Sequence, residues 1–228
     1  EDLLNQPHME PLRRKLLEDA SYRVQLASSY NNLALVLNDA GRPDEAERAS
    51  RKAVDTTRQL VEDDPSKPGY ESQLGTSLHT LGELLLERHE LEGAQRTLSE
   101  AVVHQRRALN VVASNTEYRR FLRNHLCVQC EVLLRLADHK GAVASAEELA
   151  RISPHRGEDA YNAACYIARS LTLIDQDRDL PTAQQAKLRK SVTNRVLQLL
   201  RQAVTNDPNR AAVYELIRDD SDLDPVRE

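Results

Sequence analysis

The chain has 228 residues, with 31 Lys and Arg against 36 Asp and Glu and a formal charge of −5. Its 34 Leu and 25 Ala, set against 4 Ile, 7 Gly, 1 Phe and no Trp, favour helices, argue against a β-sandwich or a parallel α/β sheet, and exclude a collagen-like chain or disulfide scaffold. A weakly acidic chain lacks the concentrated basic face of a general nucleic-acid binder, and no run of 18 apolar residues is present to span a bilayer.

Glu1 to Gln6 lack the basic start and apolar stretch of a signal peptide, and with no initiator Met the chain reads as a fragment of a longer protein. A lead-in helix is predicted over 11–20, within a lead-in segment 1–21. A first unit, 22–66, holds two helical stretches separated by Asp39-Ala40-Gly41-Arg42-Pro43-Asp44. Gly suits a helix C-terminus, Pro the first turn of the next helix, and Asp44 and Glu45 the positive end of its dipole. The breaker cluster Asp63-Asp64-Pro65-Ser66-Lys67-Pro68-Gly69 closes that unit. A second unit, 67–114, breaks at His89-Glu90, and a third, 115–154, breaks at Asp138-His139-Lys140-Gly141 and stops at Ser153-Pro154. A fourth, 155–208, carries an insertion at about 174–182, after which its second helix starts near Pro181-Thr182. A capping helix over 209–218 precedes the tail, and the whole is expected to form one continuous domain.

These units share a register. Tyr22, Tyr70 and Tyr118 are 48 residues apart, as are Leu26, Leu74 and Leu122, then Leu37, Leu85 and Leu133, and Ala46, Ala94 and Ala142. Arg23 and Arg119 agree as well, with Glu71 the exception between them. A fixed period of this length marks an array in which each helix pair buries its apolar face only by stacking on its neighbours.

The first unit reads Tyr30, Leu33, Ala34, Leu37, then Ala46, Ser50, Ala53; the second reads Leu78, Leu81, Gly82, Leu85, then Ala94, Leu98, Ala101. The third reads Leu126, Gln129, Cys130, Leu133, then Ala142, Ala146, Leu149; the fourth reads Tyr161, Ala164, Cys165, Ala168, then Val196, Leu200, Ala203, Pro208. This pattern resembles the tetratricopeptide repeat (TPR), with Gln129 and Leu149 as departures from it. The resemblance implies an all-α, right-handed TPR superhelix, an α-solenoid of about four antiparallel helix pairs plus a leading and a capping helix. Ala34, Gly82, Cys130 and Cys165 share the slot where paired helices approach closely, and larger side chains there would strain the core.

Candidate chemistry finds little support. Cys127 and Cys130 form a C-x-x-C near His125, but Cys130 and Cys165 fill the small slot and no second pair completes a zinc set. Asp175, Asp177 and Asp179 alternate as in a calcium loop, yet Leu180 and Ala186 stand where an EF-hand needs Gly and Glu. No phosphate loop, nucleophile elbow or metalloprotease motif occurs, so no enzyme activity, cofactor or metal is expected. His89 and His139 lie at helix breaks and read as caps; Arg13-Arg14-Lys15 and Arg119 with Arg123 read as solvated faces.

In TPR arrays the first helix of each pair lines the concave surface, so the resemblance implies a groove for a protein or peptide. Its lining here would include Asn31, Asn38, His79, Glu83, Arg123, Asn124, Glu131, Asn162, Tyr166 and Arg169. The face has no Lys and so departs from the carboxylate clamp of TPR co-chaperones, and Glu83 and Glu131 are expected to repel a terminal carboxylate. The alternatives are a groove filled by the chain's own helices, or self-association by stacking through the solenoid ends. Asp2-Leu3-Leu4-Asn5-Gln6-Pro7 with Glu10-Pro11-Leu12-Arg13, Ala160-Tyr161-Asn162-Ala163-Ala164-Cys165-Tyr166 and Asp222-Leu223-Asp224-Pro225 are similar to the C-terminal TPR region of planctomycete-type bacterial serine/threonine protein kinases. That resemblance implies a kinase domain upstream, a membrane helix between, and a soluble extracytoplasmic place for this region as a regulatory or sensory scaffold.

Overall fold

The computed structural model describes residues 19–153 and 156–227. The expected lead-in helix lies almost wholly outside these residues, as do the Asp2–Arg13 motif, the Arg13-Arg14-Lys15 cluster and Pro154. Among the described residues there are ten α-helices, one 3-10 turn and no strand. They are α1 (Ala20–Asp39), α2 (Pro43–Asp63), α3 (Pro68–Glu87), α4 (Leu91–Val111), α5 (Thr116–Arg135), α6 (His139–Ile152), α7 (Gly157–Gln176), α8 (Thr182–Asn206), α9 (Arg210–Asp219), the turn Ser221–Leu223 and α10 (Asp224–Arg227).

Local chemistry sets the helix ends. Asp19 caps α1 by accepting the N–H of Ser21 at 2.7 Å and that of Tyr22 at 3.4 Å. Pro43 and Pro68 open α2 and α3, where their missing N–H costs nothing. Asp138 caps α6 by accepting the Gly141 N–H at 2.9 Å. Three first helices end through a residue in the left-handed conformation: Gly41 at φ 72°, His89 at φ 61° and Ala137 at φ 57°. These positions are 48 apart, and each is followed by the same closing bond, from Arg42 to Leu37, Glu90 to Leu85 and Asp138 to Leu133. His89 is therefore a backbone turn residue and not a side-chain cap. His139 is the first residue of α6, with its side chain directed at Asp177.

The chain divides into two compact units between Phe121 and Leu122, within α5. In the first, α1 packs on α2, α3 on α4, and α2 on α3. Ala34, Ala46, Ala49 and Leu84 form one buried cluster with Leu37 against it. Gly82 faces α4 so closely that an added Cβ would lie 2.6 Å from Leu98 Cγ. The small slot is thus the point where the Leu98 side chain of α4 lies against the backbone of α3.

In the second unit α7 packs against both α6 and α8. Leu133, Leu134 and Ala142 form a cluster with Tyr166 and Leu173 against it. Cys130 is fully buried, and its Sγ lies 3.7 Å from the Ala142 carbonyl oxygen. Gly157 meets α8 at Ala203, whose carbonyl oxygen would be 2.6 Å from an added Cβ. The inserted segment gives the exposed bend Arg178-Asp179, and α8 follows with 25 residues. The 3-10 turn and α10 fold back on α7, burying Leu223 to 2% exposure.

Candidate partner-binding faces

Each unit presents its own face of first helices. In the first unit, Asn31 is buried, and its Nδ2 donates to Ser77 Oγ on α3 at 3.1 Å. Seven residues on, Asn38 Nδ2 donates to Glu87 Oε2 at 2.6 Å. Both asparagines thus join α1 to α3. On α3, His79 Nε2 lies 3.4 Å from Glu83 Oε1, one helical turn away, and both side chains are half-buried.

The residue at the Arg23, Glu71 and Arg119 position reaches back across the fold. Arg23 pairs with Asp63 at the end of α2 at 2.6 Å. Glu71 has the opposite charge and meets His104 of α4, with 2.5 Å between His104 Nδ1 and Glu71 Oε2. Arg107 lies 3.8 Å away on the other oxygen. Arg58 of α2 and His104 both approach Glu100, at 2.7 and 3.6 Å, which extends the charge chain across α2, α3 and α4. Beside it, Ser72 donates to Gln105 Oε1 at 3.1 Å, and Gln105 Nε2 donates to the Tyr118 carbonyl at 3.1 Å.

The second unit gathers more of the residues expected from sequence. Arg169 Nη1 on α7 lies 2.8 Å from Glu131 Oε2 on α5, and Arg135 Nε donates to Glu131 Oε1 at 2.8 Å. Burial opposes ionisation of Glu131, but the hydrogen bonds from Arg169 and Arg135 outweigh it and hold the carboxyl below its ordinary value. The expected repulsion of a carboxylate by Glu131 is therefore offset by two guanidinium groups. Arg169 Nε also lies 3.8 Å from Asp222, whose pKa burial raises.

Arg123 Nη1 lies 3.3 Å from the fully buried Asp159 and 3.7 Å from Glu158. Asn124 and Asn162 are half-buried on α5 and α7. Tyr166 is hydrogen-bonded to Cys127 and packs on the Leu133 cluster, and burial raises its phenol pKa. Burial likewise pushes the Cys127 thiol up to about 11 and that of Cys165 to about 12. A thiol that far from ionisation at neutral pH is a poor nucleophile.

A cleft of about 320 Å³ opens beside the Glu131 network, lined by Leu134, Arg135, Arg169, Thr172, Leu173, Ser221, Asp222 and Pro225. The chain's own C-terminal turn forms one wall. Asp220 holds that turn down by accepting hydrogen bonds from Tyr161 and, at 3.6 Å, from Cys165 Sγ. Asp159 and Asp220 were not singled out by sequence, and Asp222 was named only as part of the Asp222–Pro225 motif. Their signal was position: Asp159 lies in the first turn of a helix, and Asp220 lies in the tail two residues before that motif.

Residues 26–66, most of α1 and all of α2, match the tetratricopeptide repeat family. No curated protein matches the chain. Among solved structures, one described as YrrB, "a TPR protein with an unusual peptide-binding site", is 15% identical with a TM-score of 0.41 over 93% of this chain and 98% of that one. The fold is all-α, a TPR-type repeat of antiparallel helix pairs. Among the described residues no helix is long and apolar enough to cross a membrane.

Proposed function

We propose that the chain is a non-catalytic protein-interaction module that holds a peptide or protein segment on the first-helix face of its pairs. The observation that carries this is the cleft between Arg135, Arg169, Asp222 and the apolar Leu134, Leu173 and Pro225. Apolar walls with a few fixed charges suit a peptide, the walls supplying burial and the charges setting register. Further along the same two helices, the half-buried Asn124 and Asn162 amides can donate and accept along a peptide backbone. The match of residues 26–66 to a repeat family whose members are commonly interaction modules supports the same reading. Asn31, Asn38, His79, Glu83 and Arg123 complete the proposed faces. Of these, Asn31 acts from beneath the surface by fixing α3 against α1. The units 22–66, 67–114, 115–154 and 155–208, with the cap 209–228, are proposed as the repeats.

We further propose a serine/threonine kinase-type parent for which this region is regulatory or sensory. Supporting it, the two unusual C-terminal motifs lie together, the Ala160–Tyr166 segment on α7 touching the tail through Tyr161 and Asp220. The parent reading frame tests it: an upstream segment without a kinase domain refutes the assignment. The binding reading is tested with a peptide array probed by the wild-type chain and by Arg135→Glu combined with Thr172→Arg, both exposed cleft positions. Peptides retained by the wild type are expected to be lost from the variant with its helicity unchanged. Equal retention by both refutes the cleft as the binding site.

A further inference from the structure

On α7, Tyr161, Cys165, Arg169 and Thr172 follow an i, i+4, i+8, i+11 spacing and so form one stripe. The C-terminal segment runs along that stripe in the same direction. Asp220 accepts from the Tyr161 hydroxyl and, at 3.6 Å, from Cys165 Sγ. Asp222 lies 3.8 Å from Arg169 Nε, and Pro225 reaches the level of Thr172 and Leu173. Leu223 is buried to 2% exposure, and Arg189 of α8 donates to the Pro225 carbonyl at 3.1 Å. Two carboxylates, a buried leucine and a backbone carbonyl therefore fix this short acidic segment.

The same place has a different occupant in the first unit. Asn38 stands four residues past the small slot of α1, as Arg169 stands four past that of α7. Asn38 donates to Glu87 on the next first helix, α3. At α7 the carboxylate comes instead from the tail, so a short segment serves where a whole helix does at α1. The tail is held at this motif and not along its tether. α9, which joins it to α8, buries no residue, and its Tyr214 and Leu216 are exposed. α10 buries none either, which leaves Leu223 as the apolar anchor. An element with so little buried apolar surface opens at low free energy, without unfolding the helices beneath it.

We propose that the α7 stripe is a receptor for an acidic Asp-x-Asp-Leu segment, that Asp220-Ser221-Asp222-Leu223 occupies it in cis, and that a partner protein carrying the same pattern takes its place. This rests on the reading of the first-helix face as a peptide site, and adds the class of peptide and the element that guards it. A tethered segment acts at an effective concentration of about 1 mM, so the free pattern binds the intact chain weakly. Its apparent affinity rises as tail occupancy falls.

The probe is a fluorescein-labelled peptide of residues 219–227, titrated to about 1 mM against the full chain and read by anisotropy. The full-length Asp220→Asn, Leu223→Ala variant, its helicity checked by circular dichroism, is expected to bind the peptide more than about tenfold tighter than the wild type does. Adding Arg169→Ala to that variant should weaken binding, as should Leu223→Ala in the peptide. Equal affinity for wild type and variant, no binding to the folded variant, or indifference to Arg169→Ala overturns the inference. Labelling of the wild type tests it without altering the tail. Cys165, beneath Asp220, should react with a disulfide reagent in less urea than Cys130, whose Sγ faces the Ala142 carbonyl. Reaction of both thiols only together means that the tail leaves only on global unfolding, which also overturns it. Peptides held by the cleft in the array, with no binding of the 219–227 peptide, leave the proposed function standing and refute this inference alone.

Discussion

Replacing Gly82 with Ala sets two known terms against each other. In an exposed helix interior the change stabilises by about 1 kcal/mol, because Ala loses less backbone entropy on folding. At this position the new Cβ would lie 2.6 Å from Leu98 Cγ and 2.8 Å from Cδ2, about 1 Å inside ordinary contact. Leu98 is fully buried and cannot swing into solvent. Overpacking of this kind costs about 1–3 kcal/mol, so Gly82→Ala should be neutral to about 2 kcal/mol destabilising. Leu98→Ala removes the obstruction at its own cost of about 2–5 kcal/mol. In that background Gly82→Ala should recover the full ~1 kcal/mol of stabilisation, a coupling of about 1–3 kcal/mol between the two sites. Urea unfolding followed by far-UV circular dichroism reads the four midpoints, provided the slopes agree. If Gly82→Ala stabilises the wild-type and Leu98→Ala chains equally, α3 and α4 do not touch at the small slot and the packing argument fails.

Three more predictions are independent of this one. Ala137→Gly, at φ 57°, should stabilise by about 1 kcal/mol, and Gly41→Ala, at φ 72°, should destabilise by a similar amount, both read as urea midpoints. Glu131 has its folded pKa below the ordinary 4.5, so its contribution is complete above that value and is lost as pH falls through the folded one. Stability of the wild type should therefore decline more steeply than that of Arg169→Ala as pH falls below 4.5, measured as unfolding midpoint against pH. With burial raising all three thiols, Cys127, Cys130 and Cys165 should react slowly with a disulfide reagent at pH 8 and rapidly once urea unfolds the chain.

Sequence made the helix class and the small slot legible because both are local. Ala34, Gly82 and Cys130 recur at one period, and a small residue there has one physical use. The left-handed turns were only partly legible: Gly41 announces one, whereas His89 and Ala137 do not by residue type, and only their 48-residue spacing from Gly41 marks them. Glu71 stood out as the wrong charge in its column. Its reason, His104, lies 33 residues away on another helix and follows from no periodicity. Asn31 was legible as a polar residue on a first helix. That Ser77 would bury it depends on how one pair settles on the next, which single-helix patterns do not encode. The cleft was least legible, since one of its walls is a tail held by a Tyr161–Asp220 bond across 59 residues.

The four first helices, α1, α3, α5 and α7, are each 20 residues long, while the second helices run to 21, 21, 14 and 25. Twenty residues span about 30 Å, so each pair offers the same working length on one side whatever its partner helix does. Gain and loss of sequence is thereby steered to the second helices and the bends before them. The exposed Arg178-Asp179 bend is the natural port for foreign sequence: a fluorophore peptide or affinity tag inserted there should ride on the protein without altering the spacing that the first helices keep.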